Sequence, residues 1–462
     1  MPPMASRIPR SASLSVDLAR RLDVVVAEAQ RQWRAPGVSV GLVRDGSLVY
    51  SRHVGAARLD PLAAADDNTQ FMMGSITKTF TAVLIMQLRD AGRLDLHDRL
   101  SDHLPLVTHG DMTLHQLLGH VSGLQREPVG RIWETLDHPD LAGLLAGVDE
   151  AERVVRPYEQ FHYSNLGYAL LGAVVERVAG GTWEEVLVDR ILRPLGMTRT
   201  SLRPDDDRAY GFLVHPFAGT LTPEPTFDLR AGAPLGGLWT SITDLCRYAA
   251  FVADPHPTVL DPMTMVEMTR PTVIVDPEVW SLGYGLSWSM SRRGERVYAG
   301  HGGAMPGFLA GLRVARKDQL GAVVFANATA GAAPLALAGD LLDVALDAAP
   351  TVPEAWRPEA AHPEFDDLVG SWWSEGSELL FTVREGQLWA SVPGEPARFG
   401  DTRFAPDGQH YRAVEGRERG ERLELVRDAT GRVTKLYFAT YAVTREPLSF
   451  AQLTSEHHAG LS

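Results

Sequence analysis

The sequence has almost no cysteine, little lysine and no long hydrophobic run. The one cysteine, Cys246, excludes an internal disulfide bond, and its place in an apolar helical segment favours a small core residue over a reactive thiol. No stretch approaches the roughly 18 apolar residues of a membrane span. Residues 1–17 also lack the apolar centre of a signal peptide. We therefore expect a cytoplasmic protein that does not bind a membrane.

Sequence patterns of other enzyme classes are missing as well. No serine lies in a Gly-x-Ser-x-Gly frame, which argues against the nucleophile elbow of an α/β-hydrolase. There is no His-Glu-x-x-His, and the pair His457 and His458 lies in the C-terminal tail, so we expect neither a metal nor another cofactor. The net charge of −14 argues against nucleic acid as a partner. The expected partner is a small-molecule or peptide substrate.

Segments with helical and strand-like spacing predict the fold class of the first 348 residues. The predicted helices cover residues 17–33, the run from 75 to about 90–92, much of 113–248, and 335–346. The predicted strands cover 38–43 and 48–50, which form a hairpin around an Asp-Gly pair, and 311–314 and 321–325. Because the strands lie at both ends of this region, we predict a mixed α/β (α+β) fold. It consists of an antiparallel sheet flanked by helices, plus an all-helical lobe.

The sequence pattern of the chain changes after a proline-rich stretch. Short strand-like runs separated by glycine turns predict a small C-terminal antiparallel β-barrel. The predicted domain organisation is a disordered segment at 1–16, a first domain at 17–348, a Pro-rich linker at 349–363, the barrel at 364–455 and a tail at 456–462.

One of the few lysines follows a serine at the start of an apolar helical run. Only three of the 44 basic residues are lysines, and Lys78 lies three positions after Ser75. In a helix these positions share a face, which places an amine within reach of a hydroxyl. A buried lysine can lose its proton near neutral pH and an arginine cannot, so the pair predicts a nucleophile beside a base. The alternative is an N-cap serine with a lysine that extends to solvent.

Two further segments carry polar groups suited to the same chemistry. Tyr163 begins a Tyr-Ser-Asn segment. A tyrosine phenol beside an ammonium group can lose its proton more easily and transfer it between nucleophile and leaving group. Asn165, two positions later, can donate to a substrate carbonyl and hold the lysine. The alternative is a buried tyrosine with a capping Ser164 or Asn165. Residues 300–304 (Gly-His-Gly-Gly-Ala) predict a strand edge that approaches a ligand, or else a glycine-rich turn with a surface histidine.

Together, these three segments resemble the signatures of penicillin-recognising serine hydrolases. The tyrosine-type second segment is similar to the class C β-lactamase branch, with its DD-peptidases, D-aminopeptidases and family VIII carboxylesterases. The stretches at 113–124, 193–197 and 236–241 resemble that family's LLxHxSGL, PLGM and GGLxST segments. The resemblance covers about residues 20–348, and the part after residue 363 resembles a lipocalin-like β-barrel.

The resemblance implies a role for each of these residues. Ser75 would attack a carbonyl and form an acyl-enzyme, while Lys78 and Tyr163 would share the acid and base work. Asn165, His301, Gly302 and Gly303 would bind and orient the substrate, and the backbone N–H groups of Ser75 and Ala304 would form the oxyanion hole. Two departures stand out: His301 replaces the lysine that β-lactamases carry, and Tyr158 stands where a glycine is common.

Three functions remain open at this point. The first is a cytoplasmic serine hydrolase that cleaves esters, small amides or D-peptides. The second is an acyltransferase or peptide cyclase of the penicillin-binding-protein type, in which an amine or alcohol discharges the same acyl-enzyme. The third is a non-catalytic binding protein, which the presence of all four polar side chains disfavours. The barrel could line the cleft, mediate a homodimer or do neither.

Overall fold

The structure is a computed structural model that describes residues 14–348, 356, 358–394 and 401–459. The chain divides into two compact units, Met1–Thr351 and Val352–Ser462. Most of the segment predicted to be disordered and most of the predicted linker lie outside the described residues.

Helices and strands of the first unit follow the predicted order, with additional strands. Its helices are α1 (Val16–Trp33), α2 (Thr77–Asp90), α3 (Leu100–His103), α4 (Leu114–Leu118), α5 (Ile132–Thr135), α6 (Leu141–Gly147), α7 (Asn165–Ala179), α8 (Trp183–Leu187), α9 (Ala233–Gly236), α10 (Ile242–Ala253), α11 (Pro262–Met268) and α12 (Pro334–Ala348). Its strands are β1 (Gly37–Arg44), β2 (Ser47–Gly55), β3 (Arg58–Leu59), β4 (Leu62–Ala63), β5 (Phe71–Met72), β6 (Phe212–Val214), β7 (Leu221–Pro223), β8 (Trp239–Thr240), β9 (Val273–Ile274), β10 (Leu282–Tyr284), β11 (Ser289–Arg293), β12 (Arg296–Met305), β13 (Phe308–Ala315) and β14 (Leu320–Ala326).

The main sheet joins the two ends of the first unit, as predicted. Its strand order is β2-β1-β14-β13-β12-β11-β10-β9, and every neighbouring pair is antiparallel. The contact between the N-terminal hairpin and the C-terminal strands is the β1–β14 pair, in which Val38 lies opposite Ala326. The sequence analysis assigned no strand to β9, β10 or β11, so the sheet is wider than expected.

Helices cover both faces of this sheet, which explains why β14 is buried along its whole length. Side chains alternate across a strand, so Val323 and Phe325 join the core that contains α2, α7 and α10. Val324 and Ala326 instead join the core that contains α1 and α12. The predicted mixed fold, with a sheet between helices and a helical lobe, is confirmed.

Close packing of three helices holds the segments of Lys78 and Asn165 together in space. A methyl group on Gly172 of α7 would lie 2.1 Å from Cγ of Pro234 in α9, so only a glycine permits this approach. The Thr81 hydroxyl of α2 donates to the Pro234 carbonyl at 2.8 Å, which fixes α2 against the same short helix. Helices α2, α7 and α9 therefore form one rigid support.

The second unit is an eight-stranded antiparallel meander. Its elements are β15 (Gly370–Ser374), β16 (Ser377–Arg384), β17 (Gln387–Ser391), β18 (Thr402–Asp407), β19 (His410–Glu415), β20 (Arg422–Arg427), β21 (Val433–Phe438), β22 (Tyr441–Val443) and α13 (Phe450–Ala459). Trp373 and Thr444 exchange backbone hydrogen bonds of 2.7 and 2.9 Å, which nearly closes the sheet into a barrel around Trp372 and Phe381. The predicted barrel is confirmed, while α13 extends into residues predicted to be a tail.

Candidate active site

Ser75 and Lys78 lie one turn apart at the start of α2. A 3₁₀ turn, Gly74–Ile76, leads into the helix, and Lys78 Nζ lies 3.1 Å from Ser75 Oγ. The amine also donates to the Leu235 carbonyl at 2.6 Å. Ser75 caps neither helix with its side chain, and Lys78 is fully buried, which excludes the alternative of a capping serine with a solvent-exposed lysine.

Burial governs the protonation of the lysine. Removal from water disfavours the ammonium, and this lowers the pKa of Lys78 well below its usual value. The nearby carboxylate of Glu127 opposes that shift, whereas the guanidinium of Arg126 adds to it. A neutral amine beside the Ser75 hydroxyl has a lone pair to accept its proton, so Lys78 has the form that a general base requires.

Tyr163 completes a compact group of polar atoms around the serine. Lys78 Nζ lies 5.1 Å from the centre of the Tyr163 ring, and the Arg126 guanidinium lies 5.0 Å from the same centre. Burial raises the pKa of the Tyr163 phenol above its ordinary value, while a hydrogen bond with Ser75 and the charge of Arg126 partly offset this. The expectation that this phenol loses its proton easily is therefore wrong, because burial outweighs the nearby positive charge.

Asn165 begins α7, but its contacts differ from those expected. Ser164 is the N-cap, and its hydroxyl accepts the Gly167 N–H at 3.0 Å, which confirms the capping role for that residue. The Asn165 amide Nδ2 donates to Glu127 Oε1 at 2.7 Å. Its Oδ1 is buried and has no hydrogen-bond partner among the described residues, so it does not hold Lys78.

The glycine-rich segment is the free part of a strand edge. Strand β12 pairs with β11 only up to Gly300, while its pairing with β13 continues through Met305. A methyl group on Gly74 would lie 2.7 Å from the Ala304 backbone nitrogen, and one on Gly303 would lie 1.9 Å from the Met73 carbonyl oxygen. The backbone around Ala304 therefore closely approaches the turn that carries the serine, as the predicted oxyanion hole requires.

His301 is neutral and has both ring nitrogens occupied. Its Nδ1 lies 2.6 Å from the Gly302 carbonyl, which can only accept, so this nitrogen carries the proton. Its Nε2 then accepts the Tyr284 hydroxyl at 3.0 Å. Burial, together with the nearby Lys78, lowers the pKa of His301 to about 4. His301 is therefore a neutral polar group at this position, because the ring is buried in an aromatic environment.

Several site residues were not identified as such from the sequence. Arg126 and Glu127, which lie just after the 113–124 stretch and line the cavity, carry no sequence pattern that indicates a site. The apolar helix and turn in the 113–124 stretch predict a core or capping role, with a neutral and hydrogen-bonded ring, for His120. It is fully buried, its ring centre lies 4.2 Å from that of Tyr163, and its Nδ1 accepts the Ser164 N–H at 3.0 Å. The core role is confirmed, but its Nε2 has no partner among the described residues.

Tyr158, the second departure from the family pattern, adopts the backbone conformation of the residue it replaces. Its φ of 61° lies in the left-handed region that glycine favours. The Tyr158 hydroxyl lies 3.1 Å from Nδ1 of His115, which gives this side chain a partner on α4. A non-glycine residue thus adopts the left-handed conformation at this turn.

The polar group opens into a cavity of about 790 Å³. Its lining includes every predicted site residue except Lys78, which lies behind Ser75. The rest of the wall is largely apolar and includes Trp133, Phe161, Met305, Pro334 and Leu335. In the described part of the chain, no group of three or more His, Cys, Asp or Glu side chains could hold a metal ion. In this arrangement, the Ser75 hydroxyl can attack a carbonyl carbon.

Comparison with known proteins agrees with this geometry. The Dictyostelium discoideum "Beta-lactamase-like protein 2" is 28% identical over 278 residues, which is 56% of this chain and 50% of that protein. The chain therefore matches only half the length of that relative. The octameric penicillin-binding protein homologue from Pyrococcus abyssi has a TM-score of 0.63 at 23% identity, over 92% of this chain and 99% of that one.

A structure of SurE has a TM-score of 0.61 at 25% identity, over 93% of this chain and 99% of that one, and another was solved with D-Leu. Residues 361–445 match a domain of unknown function (DUF7586). Residues 22–347 match the family model described as "Beta-lactamase". Because this model covers most of the chain, the protein belongs to the beta-lactamase family.

Proposed function

We propose that this protein is a serine hydrolase that forms an acyl-enzyme on Ser75 and cleaves esters, small amides or D-peptides. The observation that carries the proposal is the 3.1 Å contact between Ser75 Oγ and the buried Lys78 amine at the wall of an open cavity. A serine hydroxyl is a weak nucleophile until an adjacent base takes its proton. A neutral amine at hydrogen-bond distance supplies that base.

Acylation would proceed in two proton-balanced steps. Lys78 accepts the Ser75 proton as Oγ bonds to the substrate carbonyl carbon, and backbone N–H groups of Ser75 and Ala304 stabilise the resulting oxyanion. The bond from that carbon to the leaving group then breaks, and the protonated Tyr163 phenol donates its proton to the leaving oxygen or nitrogen. Transfer of the lysine proton to Tyr163 restores both side chains.

Deacylation uses the same groups in reverse. A water molecule attacks the ester carbonyl, its proton passes to the amine, and Ser75 leaves with a proton returned to it. An amine or alcohol in place of water would give acyl transfer, so the identity of the acceptor distinguishes a hydrolase from the acyltransferase or cyclase. The solved structure of the relative SurE with D-Leu supports the inclusion of D-amino acid derivatives among candidate substrates.

Intact-mass measurement after exposure to a panel of p-nitrophenyl esters, D-peptides and peptidyl thioesters tests the proposal. The wild-type protein should gain one acyl group, and Ser75→Ala should gain none while its circular dichroism spectrum is unchanged. Ser101→Ala, at an exposed serine of α3, is the matched control and should label normally. An adduct on Ser75→Ala, or none on the wild type with any compound, would reject the proposed function. Discharge by added amine rather than water would favour the acyltransferase.

A further inference from the structure

Glu127 presents an unused carboxylate oxygen at the cavity. The residue lines the cavity, and its side chain is 26% exposed. Its Oε1 accepts from Asn165 Nδ2 at 2.7 Å and lies 3.4 Å from Nε of Arg126. Its Oε2 is buried and has no hydrogen-bond partner among the described residues. A buried carboxylate oxygen without a donor is unfavourable, so a ligand that supplies an N–H would be stabilised there.

Asn165 adds a second unused acceptor beside the first. Because Nδ2 faces the Glu127 carboxylate, the orientation of the amide is fixed and Oδ1 faces away from that bond. This oxygen also lacks a partner within the described part of the chain, in a residue that is only 6% exposed. The two side chains are hydrogen-bonded to each other and both line the cavity, so Glu127 Oε2 and Asn165 Oδ1 form a pair of unused acceptors.

Neither neighbouring basic side chain occupies this acceptor pair. Burial lowers the pKa of Lys78 well below its usual value, and the Lys78 amine is already bonded to Ser75 and Leu235. Arg126 is 64% exposed, contacts the other carboxylate oxygen, and places its guanidinium over the Tyr163 ring. The negative charge on Glu127 Oε2 is therefore available to a substrate.

We propose that the cavity selects acyl donors that carry a free primary amine next to the reactive carbonyl, as in unblocked amino acid esters and amides. This inference rests on the proposed function of Ser75. The ammonium would donate to Glu127 Oε2 and Asn165 Oδ1, as hydrogen bonds between charged partners are the stronger ones. Neutral His301, which also lines the cavity, has no free donor for a carboxylate, because both of its ring nitrogens are already bonded.

The apolar wall suggests the test compounds. Trp133 and Phe161 line the same cavity and suit an aromatic side chain. D-phenylalanine methyl ester and its N-acetyl derivative differ only in the amine, and their turnover can be followed by chromatography at a pH where the free amine is protonated. The wild type should prefer the free amine, and Glu127→Gln should reduce the ratio of the two kcat/KM values by roughly 10- to 100-fold.

Matched controls separate this inference from the function on which it depends. Glu278→Gln makes the same chemical change at an exposed residue outside the cavity lining and should leave the ratio as it is in the wild type. If neither ester nor any other compound acylates the wild type, the proposed function fails and the inference fails with it. If both esters are turned over with a ratio near one, or with a ratio that Glu127→Gln does not change, the inference is wrong and the hydrolase remains.

A measurement on the wild type alone covers the case in which Glu127→Gln does not fold. D-phenylalaninol and N-acetyl-D-phenylalaninol carry the same amine difference but lack the ester carbonyl that Ser75 would attack. As competitive inhibitors of turnover of the free amino ester, the amino alcohol should bind at least about 10-fold more tightly than its acetylated form. Equal inhibition by the two compounds would overturn the proposed amine site.

Discussion

Replacement of Lys78 by arginine should severely slow turnover although a basic side chain is retained at this position. The amine at this position is buried, lies 3.1 Å from Ser75 Oγ and donates to the Leu235 carbonyl. A guanidinium has donors only and stays protonated, so it cannot accept the Ser75 proton. Lys78→Arg therefore tests whether residue 78 acts as a proton acceptor, because arginine is a basic side chain that cannot accept the Ser75 proton.

The expected loss follows from the work that the amine performs. General base catalysis contributes roughly 10²- to 10⁴-fold, which corresponds to about 3–5 kcal/mol of activation free energy. The variant also introduces a larger, charged group where the wild type holds a neutral amine, and an unpaired buried charge destabilises by several kcal/mol. We therefore expect acylation about 1,000-fold slower and a free energy of unfolding lower by about 3 kcal/mol.

Stopped-flow acylation by a p-nitrophenyl ester, with thermal unfolding of the same samples, measures both effects. Lys78→Met removes the amine without adding charge, so it tests the chemistry even if the arginine variant unfolds. Lys317→Arg makes the same substitution at an exposed lysine and should acylate at the wild-type rate. If either folded Lys78 variant acylates within about threefold of the wild type, well inside the range that loss of a general base produces, Lys78 is not the base.

Two other predictions follow from the geometry. Gly74→Ala would place a methyl group 2.7 Å from the Ala304 nitrogen, so acylation should fall by roughly 10²- to 10³-fold because an oxyanion donor is displaced. The control is Gly92→Ala, at a glycine that also has a left-handed backbone but has no atom within 4 Å of the added methyl group. An equal loss of activity in both variants would contradict this prediction. For His301, burial lowers the folded-state pKa to about 4, so the stabilisation present at neutral pH is lost as pH falls from about 6.5 to 4. Chemical denaturation of the wild type and His301→Gln measures this effect. The difference between their free energies of unfolding should rise by on the order of 3 kcal/mol as pH increases across that window. A difference that does not change with pH would show that the buried His301 ring is not kept neutral.

The parts of the fold and site that depend on local periodicity could be predicted from the sequence. The helical repeat alone places Ser75 and Lys78 on one face, and an Asp-Gly pair between alternating runs produces the hairpin of β1 and β2. Strand β11, by contrast, has the sequence Ser-Met-Ser-Arg-Arg, which lacks an apolar alternation, so no strand was predicted there. Its pairing is determined by neighbouring strands rather than by its own residues.

The electrostatic state of the site could not be predicted, because it depends on burial by distant segments. An ammonium beside Tyr163 favours a phenol that loses its proton easily, whereas burial raises the pKa of that phenol and lowers the pKa of His301. Glu127 was missed for a related reason, since its importance lies in its contact with Asn165, 38 positions away. The cytoplasmic location, the homodimer and the lipocalin-like character of the barrel stay predictions, and no helix in the described ranges is both long and apolar enough to cross a membrane.

The approach of α7 to α9 at Gly172 connects interior packing to the reactivity of the lysine. Pro234 packs directly against Gly172 and precedes Leu235 in the chain. The Leu235 carbonyl accepts a hydrogen bond from the Lys78 amine. A methyl group added at Gly172 would overlap Pro234 and displace the backbone next to Leu235, although Gly172 lies outside the cavity lining. A substitution in the packed interior would thus disturb a hydrogen-bond partner of Lys78 without changing any residue that lines the cavity.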